Sequence, residues 1–149
     1  MGGGEQDQIY LFDTESTQTT LLSNGESRNR LVRWSPDGRL MAFQSTRRNG
    51  RTNDLWIMNP GKPNSTELLL EAQPGTWYGP VDFSRDNRYL LVQQFYSVMD
   101  SRIYVLDLKT RSLRLVAGGN EISSANRALS FDRLGTGFYY ITNYRGEAA

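Results

Sequence analysis

The sequence contains no histidine and no cysteine, and these two absences exclude much chemistry. The chain cannot carry a Ser-His-Asp or Cys-His triad, an ordinary zinc site or a disulfide. No apolar run approaches the roughly 18 residues that span a membrane, and Met1 to Gln8 lack the basic and apolar regions of a signal peptide. We therefore expect a soluble chain that needs no cofactor or metal and does not enter a membrane. Its compartment, cytoplasm or periplasm, stays open.

The chain also lacks an excess of either charge, since 17 Lys and Arg stand against 16 Asp and Glu. A net charge of +1 disfavours nucleic acid as a partner, because neutralising phosphates generally takes a basic excess. Fifteen of the 17 basic residues are arginine. The arginines include two local groups that are candidates for a basic rim binding carboxylates or phosphates. These groups are Arg28, Arg30 and Arg33, and Arg47, Arg48 and Arg51, of which Arg47 and Arg48 are singled out as possible ligand-binding residues. The alternative is that they lie in solvated turns and pair with the chain's own carboxylates.

What the sequence does contain is an internal repeat of about 48 residues. The aromatic residues Trp34, Phe83 and Phe131 each precede a turn and lie 49 and 48 residues apart. A second pattern recurs at a similar step, as IYLFD from Ile9, LWIMN from Leu55 and IYVLD from Ile103. Repeats of this length indicate a solenoid, a propeller or a similar array.

The segments around these positions are 4 to 8 residues long, rich in aromatic and branched side chains, and bounded by turn residues. These are the features of β-strands. In Ser35-Pro36-Asp37-Gly38, proline favours a tight turn and Gly38 suits a positive φ. Four strands per repeat predict an all-β fold, a β-propeller segment of about three four-stranded antiparallel blades.

The order of strand types divides this single segment of 149 residues unevenly. The outer strands of a split blade come first, two complete blades follow, and the inner strands of a split blade come last. The corresponding ranges are 9–23, 28–72, 77–117 and 127–144. Closed rings usually have 4 to 8 blades, so we expect either self-association that completes the split blade as a six-bladed dimer, or the remainder of a larger propeller.

The residues that carry these repeats resemble known families. Trp34-Ser35-Pro36-Asp37-Gly38 with Asp54-Leu55-Trp56-Ile57-Met58-Asn59 is similar to the repeat of TolB-type propellers, and Phe83 to Val92 with Ser101 to Asp107 resembles the N-terminal propeller of prolyl oligopeptidase-family serine peptidases. The resemblance implies a non-catalytic role, in which the propeller limits access of substrates to a separate hydrolase domain. No catalytic position carries over, because the chain has neither a histidine nor a G-x-S-x-G elbow.

Two groups of residues are singled out beside the arginines. The structural anchors of the repeat are Trp34, Pro36, Asp37, Gly38, Phe83 and Phe131, and the three aromatic ones are expected in the core between blades. Trp77 and Tyr78 precede the first strand of the third unit and could stack on a ligand. Packing between loops is the alternative. No cluster of carboxylates suggests an enzyme acting by acid and base catalysis.

The sequence therefore supports two functions. The first is a scaffold and substrate-gating segment that resembles the propeller of a prolyl oligopeptidase-family peptidase, without enzymatic activity of its own. The second is a stand-alone TolB-like module that dimerises into a six-bladed ring and binds a protein or peptide.

Overall fold

The computed structural model describes residues 6–145, which form twelve β-strands and no helix. The strands are β1 (Tyr10–Phe12), β2 (Thr19–Leu21), β3 (Asn29–Trp34), β4 (Met41–Ser45), β5 (Asp54–Asn59), β6 (Lys62–Leu70), β7 (Trp77–Phe83), β8 (Tyr89–Ser97), β9 (Asp100–Asp107), β10 (Leu113–Ala117), β11 (Asn126–Phe131) and β12 (Phe138–Thr142). None of these described residues forms a helix long and apolar enough to cross a membrane.

All strand pairs within the four sheets are antiparallel and follow the order of the chain. Strands β3 to β6 make one four-stranded sheet and β7 to β10 make another, which we call blade A and blade B. Strands β1 and β2 pair only with each other, as do β11 and β12. The prediction of an all-β propeller segment of about three blades is confirmed.

Three apolar clusters hold the sheets face to face. Blades A and B enclose the central one, to which Leu55 of blade A and Phe83 of blade B contribute. A second cluster joins blade A to the β1–β2 hairpin through Phe43 and Leu22, and a third joins blade B to the β11–β12 hairpin through Leu91. Each sheet buries side chains on alternating faces because successive residues of a strand point to opposite sides.

The aromatic anchors differ in burial according to what lies in front of them. Phe83 is 3% exposed between blades A and B, and Phe131 packs partly buried against blade B. Trp34, expected in the core, is instead 44% exposed. Its place in the repeat points it toward the preceding blade, of which the described chain supplies only the outer strands β1 and β2. Residues 6–145 contribute no inner strands on that side that would cover its indole.

The turns after the first strands repeat one hydrogen-bond pattern. The Ser35 hydroxyl donates to Asp37 Oδ1 at 2.9 Å, and the Leu40 amide donates back to Ser35 Oγ at 2.9 Å. Ser84 and Asp86 form the same pattern in blade B, with a hydroxyl to carboxylate distance of 2.7 Å. Pro36 lies in the first of these turns and Gly38 has φ +73°. The aspartates therefore hold turns together.

The connection between β5 and β6 consists of two residues. Lys62 already pairs with Asn59, so that Pro60 and Gly61 alone make the turn. The Gly61 amide donates to Asn59 Oδ1 at 2.9 Å, and the register of the β5–β6 pair is irregular between Ile57 and Asn59. A bulge next to a tight turn thus ends this hairpin.

Candidate functional site

The main candidate site is a cleft of about 600 Å³ formed where the first strands of successive sheets lie side by side. Strand β3 contacts β7, and β7 contacts β11. We call this the inner-strand cleft. It is lined by Leu31, Arg33, Trp77, Gly79, Pro80, Val81, Gln93, Phe95, Ser101, Ala125, Asn126, Arg127, Ala128, Leu129, Ile141, Thr142 and Asn143. Its volume lies in the range of ligand sites, roughly 300–1,000 Å³.

One wall of the inner-strand cleft is an aromatic pair. The rings of Trp77 and Phe95 are stacked, with centroids 5.3 Å apart and planes at 11°. They meet because Trp77 of β7 and Phe95 of β8 are direct partners in the antiparallel register. Stacked side chains restrict each other's rotamers, so the pair presents a rigid apolar surface.

Leu31 reaches this wall from blade A through an unusual backbone conformation. Its φ is +53°, within a register irregularity of the β3–β4 pair between Arg30 and Arg33. The Leu31 Cδ1 atom comes so close to Gly79 that a Cβ there would lie 2.8 Å from it. A positive φ is a genuine outlier for a bulky residue. Bulges of this kind re-aim side chains, and here the bulge directs Leu31 across β7.

Two arginines, Arg33 and Arg127, are among the residues that line the same cleft. Arg33 Nε donates to the Val81 carbonyl oxygen at 3.1 Å, and its Nη1 donates to the Val32 carbonyl oxygen at 2.9 Å. The ion pairs among the described residues involve Arg30, Arg39, Arg48, Arg88 and Arg111. The cleft lining contains no Asp or Glu. Its charge is therefore positive.

Polar side chains hold β11 in place at the back of the cleft. Gln93 Nε2 donates to the Asn126 carbonyl oxygen at 2.7 Å, and Gln93 Oε1 accepts from the Ala128 amide at 2.9 Å. The Asn126 amide donates to Ser101 Oγ at 2.7 Å. These hydrogen bonds fix the spacing between blade B and the last hairpin, and with it the width of the cleft.

Trp77 and Tyr78 do not form one site, because neighbouring strand residues face opposite ways. Trp77 lines the cleft, whereas Tyr78 packs into the cluster between blades A and B with its ring 6.3 Å from that of Tyr104. Burial is the main cause that raises the pKa of Tyr78 to about 12. Its phenol therefore stays neutral near pH 7.

Arg47 and Arg48 lie in the turn between β4 and β5, and neither lines the inner-strand cleft. Arg48 Nε contacts Asp54 Oδ2 at 2.7 Å, and its Nη2 donates to Thr52 Oγ1 at 2.9 Å. The Arg47 guanidinium lies 5.2 Å from the centre of the Trp56 ring. Hydrogen bonding to the fully buried Asp54 raises the pKa of Arg48. Arg48 is thus committed to a structural ion pair.

Sequence reasoning did not single out Leu31, Gln93, Phe95 or Arg127 as parts of a site, and it named Arg33 only as a member of a possible basic rim. The sequence did contain one indication of the role of Gln93. Gln44 and Gln93 are 49 residues apart, at equivalent positions of the repeat, and each hydrogen-bonds to the first strand of the next sheet. Gln44 Nε2 donates to the Tyr78 carbonyl oxygen at 3.0 Å, also on the next first strand. Within residues 6–145, no group of three acidic side chains is placed to hold a metal ion.

Antiparallel four-stranded sheets packed face to face, with first strands that border a common cleft, define a segment of a β-propeller. A sequence model of the prolyl oligopeptidase N-terminal beta-propeller domain matches residues 1–146. The chain belongs to this family. No curated protein matches it.

Several solved structures have the same fold. TolB from Acinetobacter baumannii aligns with a TM-score of 0.71 and 19% identity over 93% of this chain and 33% of its own. A structure described as TolB from Agrobacterium tumefaciens aligns with a TM-score of 0.59 and 24% identity, covering 74% of this chain and 41% of its own. Oligopeptidase B from Leishmania major aligns with a TM-score of 0.50 and 19% identity, covering 74% of this chain and 15% of its own. The chain thus spans less than half the length of each of these proteins.

Proposed function

We propose that this chain is a non-catalytic scaffold and gating segment of a propeller, which admits peptides along the inner-strand cleft. The family to which it belongs is a propeller domain of peptidases. The chain has no histidine to complete a serine triad. Its contribution to a peptidase would be selection of what passes.

The observation that carries this proposal is the inner-strand cleft itself. A stacked aromatic wall, a re-aimed leucine and a small number of polar groups are what ligand sites generally combine. The cleft also lies against three first strands from three sheets, which in a propeller border the central channel. A peptide that enters the channel would therefore meet these side chains.

The test uses fluorescently labelled short peptides and the purified chain, with anisotropy to measure binding and fluorogenic peptides to measure cleavage. We expect saturable binding without cleavage. Leu129→Glu, in the cleft lining, should weaken binding severalfold by placing a charge on an apolar wall. Leu134→Glu is the matched control, because Leu134 is 84% exposed outside the cleft. Cleavage by the chain would contradict the proposal, as would equal effects of the two variants.

A second candidate is a stand-alone module that completes its split blade with another copy of itself. The β1–β2 hairpin exposes Tyr10 and Phe12, and the β11–β12 hairpin exposes Tyr139 and Ile141. One hairpin has the outer and the other the inner strand types of a blade. Two such junctions would be equivalent in a two-fold ring of six blades. Trp34 would then gain the inner strands that it lacks.

Light scattering during size-exclusion chromatography tests the dimer. This candidate requires a mass twice the 17.0 kDa of one chain. Tyr139→Glu should reduce that mass to one chain by charging the apolar hairpin, whereas Leu134→Glu should leave the dimer intact. A mass of one chain for the unmodified protein at micromolar concentration would end this candidate and leave the gating proposal unaffected.

A further inference from the structure

The inner-strand cleft combines an apolar pocket with positive charge that the protein does not neutralise. Arg33 and Arg127 line it, no carboxylate lines it, and neither arginine forms an ion pair with a carboxylate among residues 6–145. Arginine keeps its charge at any physiological pH. The cleft is therefore suited to an anion.

Arg33 is held ready for such an anion. Two of its nitrogen atoms, Nε and Nη1, already donate to the backbone carbonyl oxygens of Val81 and Val32. These two bonds fix the plane of the guanidinium between β3 and β7, while no described group accepts a hydrogen bond from Nη2. A donor fixed in advance loses little entropy when a ligand binds. Charge-assisted hydrogen bonds to carboxylates are also among the stronger ones.

The same cleft has an apolar part, and Leu31, which contributes to it, lies two residues before Arg33 on β3. Leu31 reaches Gly79 next to the stacked rings of Trp77 and Phe95. A ligand that satisfies both parts carries an apolar side chain and a carboxylate close together. In a polypeptide, only the last residue joins an apolar side chain and a carboxylate at one Cα atom, because aspartate and glutamate carry the charge on the side chain itself.

We propose that the inner-strand cleft recognises the C-terminal end of a peptide, binding an apolar last side chain against Trp77, Phe95 and Leu31 and its carboxylate through Arg33 and Arg127. This inference rests on the proposed function, since it names the part of the peptide that the cleft selects. It assigns a polarity to peptide entry, with the C-terminus leading into the cleft.

The experiment compares two labelled peptides of identical sequence that end in leucine, one with a free C-terminal carboxylate and one with a C-terminal amide. The label is attached at the N-terminus, and binding to the full chain is followed by anisotropy at low and at moderate salt. We expect the free acid to bind on the order of tenfold more tightly, as loss of a charged hydrogen-bond partner predicts. The difference should shrink as salt screens the charges.

Two variants locate the effect. Arg127→Gln should weaken binding of the free acid severalfold, because only Arg33 then remains for the carboxylate, and should leave binding of the amide unchanged. It is the better choice for removing a cleft charge, because Arg33 also connects β3 to β7 through the Val81 carbonyl. Arg133→Gln is the matched control, since it removes the same charge from an exposed turn outside the cleft. We expect no change in either affinity.

The outcomes separate this inference from the proposal on which it rests. Equal binding of acid and amide would overturn recognition of the C-terminus while peptide binding stands. Equal losses in Arg127→Gln and Arg133→Gln would also overturn it, because the effect would then follow net charge. If neither peptide binds, both this inference and the gating proposal fail. A peptide that ends in an amide but carries an internal glutamate should bind like the plain amide, and tight binding of it would refute selection for the terminus.

Discussion

At the scale of single residues, backbone conformation decides where substitutions are tolerated. Gly118 has φ +87°, and a Cβ added there would lie 2.5 Å from the Ser101 carbonyl oxygen. Gly50 has φ +75° with nothing within 4 Å of an added Cβ. The two glycines therefore share the conformational requirement, and only Gly118 adds a collision with backbone.

We expect Gly50→Ala to cost about 1–2 kcal/mol, the price of a left-handed conformation for an L-residue. Gly118→Ala should cost a further ~1–3 kcal/mol, because the chain near Ser101 must move to make room. Urea denaturation of both variants measures the difference in the free energy of unfolding. Equal losses would show that the close approach at Gly118 is relieved without cost.

The ion pair between Asp107 and Arg88 makes the stability of the fold depend on pH. A hydrogen bond from Arg88 at 3.1 Å is the main cause that lowers the pKa of Asp107 to about 2, and the amides of Lys109 and Thr110 also donate to Asp107 Oδ1. The usual value is 3.8. The unfolded chain therefore takes up the proton first as the pH falls.

Asp107 should thus stabilise the fold fully above about pH 4 and lose this contribution between about pH 4 and 2. The comparison is with Asp107→Asn, which cannot titrate at this position. The difference between the two proteins in free energy of unfolding should be largest near pH 6 and shrink steadily toward pH 2. A difference that stays constant with pH would mean that the carboxylate charge of Asp107 is irrelevant to stability.

At the scale of strands and sheets, glutamines on second strands connect each blade to the next first strand. Gln44 bonds to the Tyr78 carbonyl oxygen, and Gln93 bonds to both Asn126 and Ala128. Strands β7 and β11 lie at the edges of their sheets, and an edge strand presents backbone N–H and C=O groups that face away from its own ladder. The glutamines give these backbone groups hydrogen-bond partners that they would otherwise lack between the packed sheets.

Replacing either glutamine by leucine keeps side-chain volume but removes these bonds. We expect Gln44→Leu and Gln93→Leu to destabilise the chain by about 1–3 kcal/mol each, the usual cost of an unsatisfied buried group. Gln73→Leu is the control, because Gln73 is exposed. Thermal and urea unfolding would measure the losses. Both inter-blade variants matching the control would show that apolar packing alone holds the blades together.

Elements with local causes were the ones that the sequence predicted well. The 48-residue period, the strand segments and the turn at Ser35 to Gly38 depend on neighbouring residues and their φ preferences. The inner-strand cleft depends on three strands that are far apart in the chain. Nothing local in the sequence marks the bulge that turns Leu31 toward Gly79. Nor did composition reveal that Arg48 is paired with a buried Asp54 while Arg33 is not paired.

At the scale of the whole molecule, the two ends of the array are unlike its middle. Trp34 and Phe83 hold equivalent places in the repeat. Phe83 faces the complete blade A, whereas Trp34 faces the β1–β2 hairpin, which supplies only outer strands. The energetic value of the same repeat position therefore depends on which neighbour is present. This dependence on nearest neighbours is typical of repeat proteins.

The contrast yields a prediction about the assembled state. In a single chain, Phe83→Ala should cost about 3–5 kcal/mol, whereas Trp34→Ala should cost only about 1–2 kcal/mol, because Trp34 is 44% exposed. If a second copy or further blades cover Trp34, its substitution should become costly and the loss should depend on protein concentration. Urea denaturation at low and high concentration measures both variants. A large, concentration-independent loss in Trp34→Ala would mean that the single chain buries this residue after all, and the account of its exposed face would then be wrong.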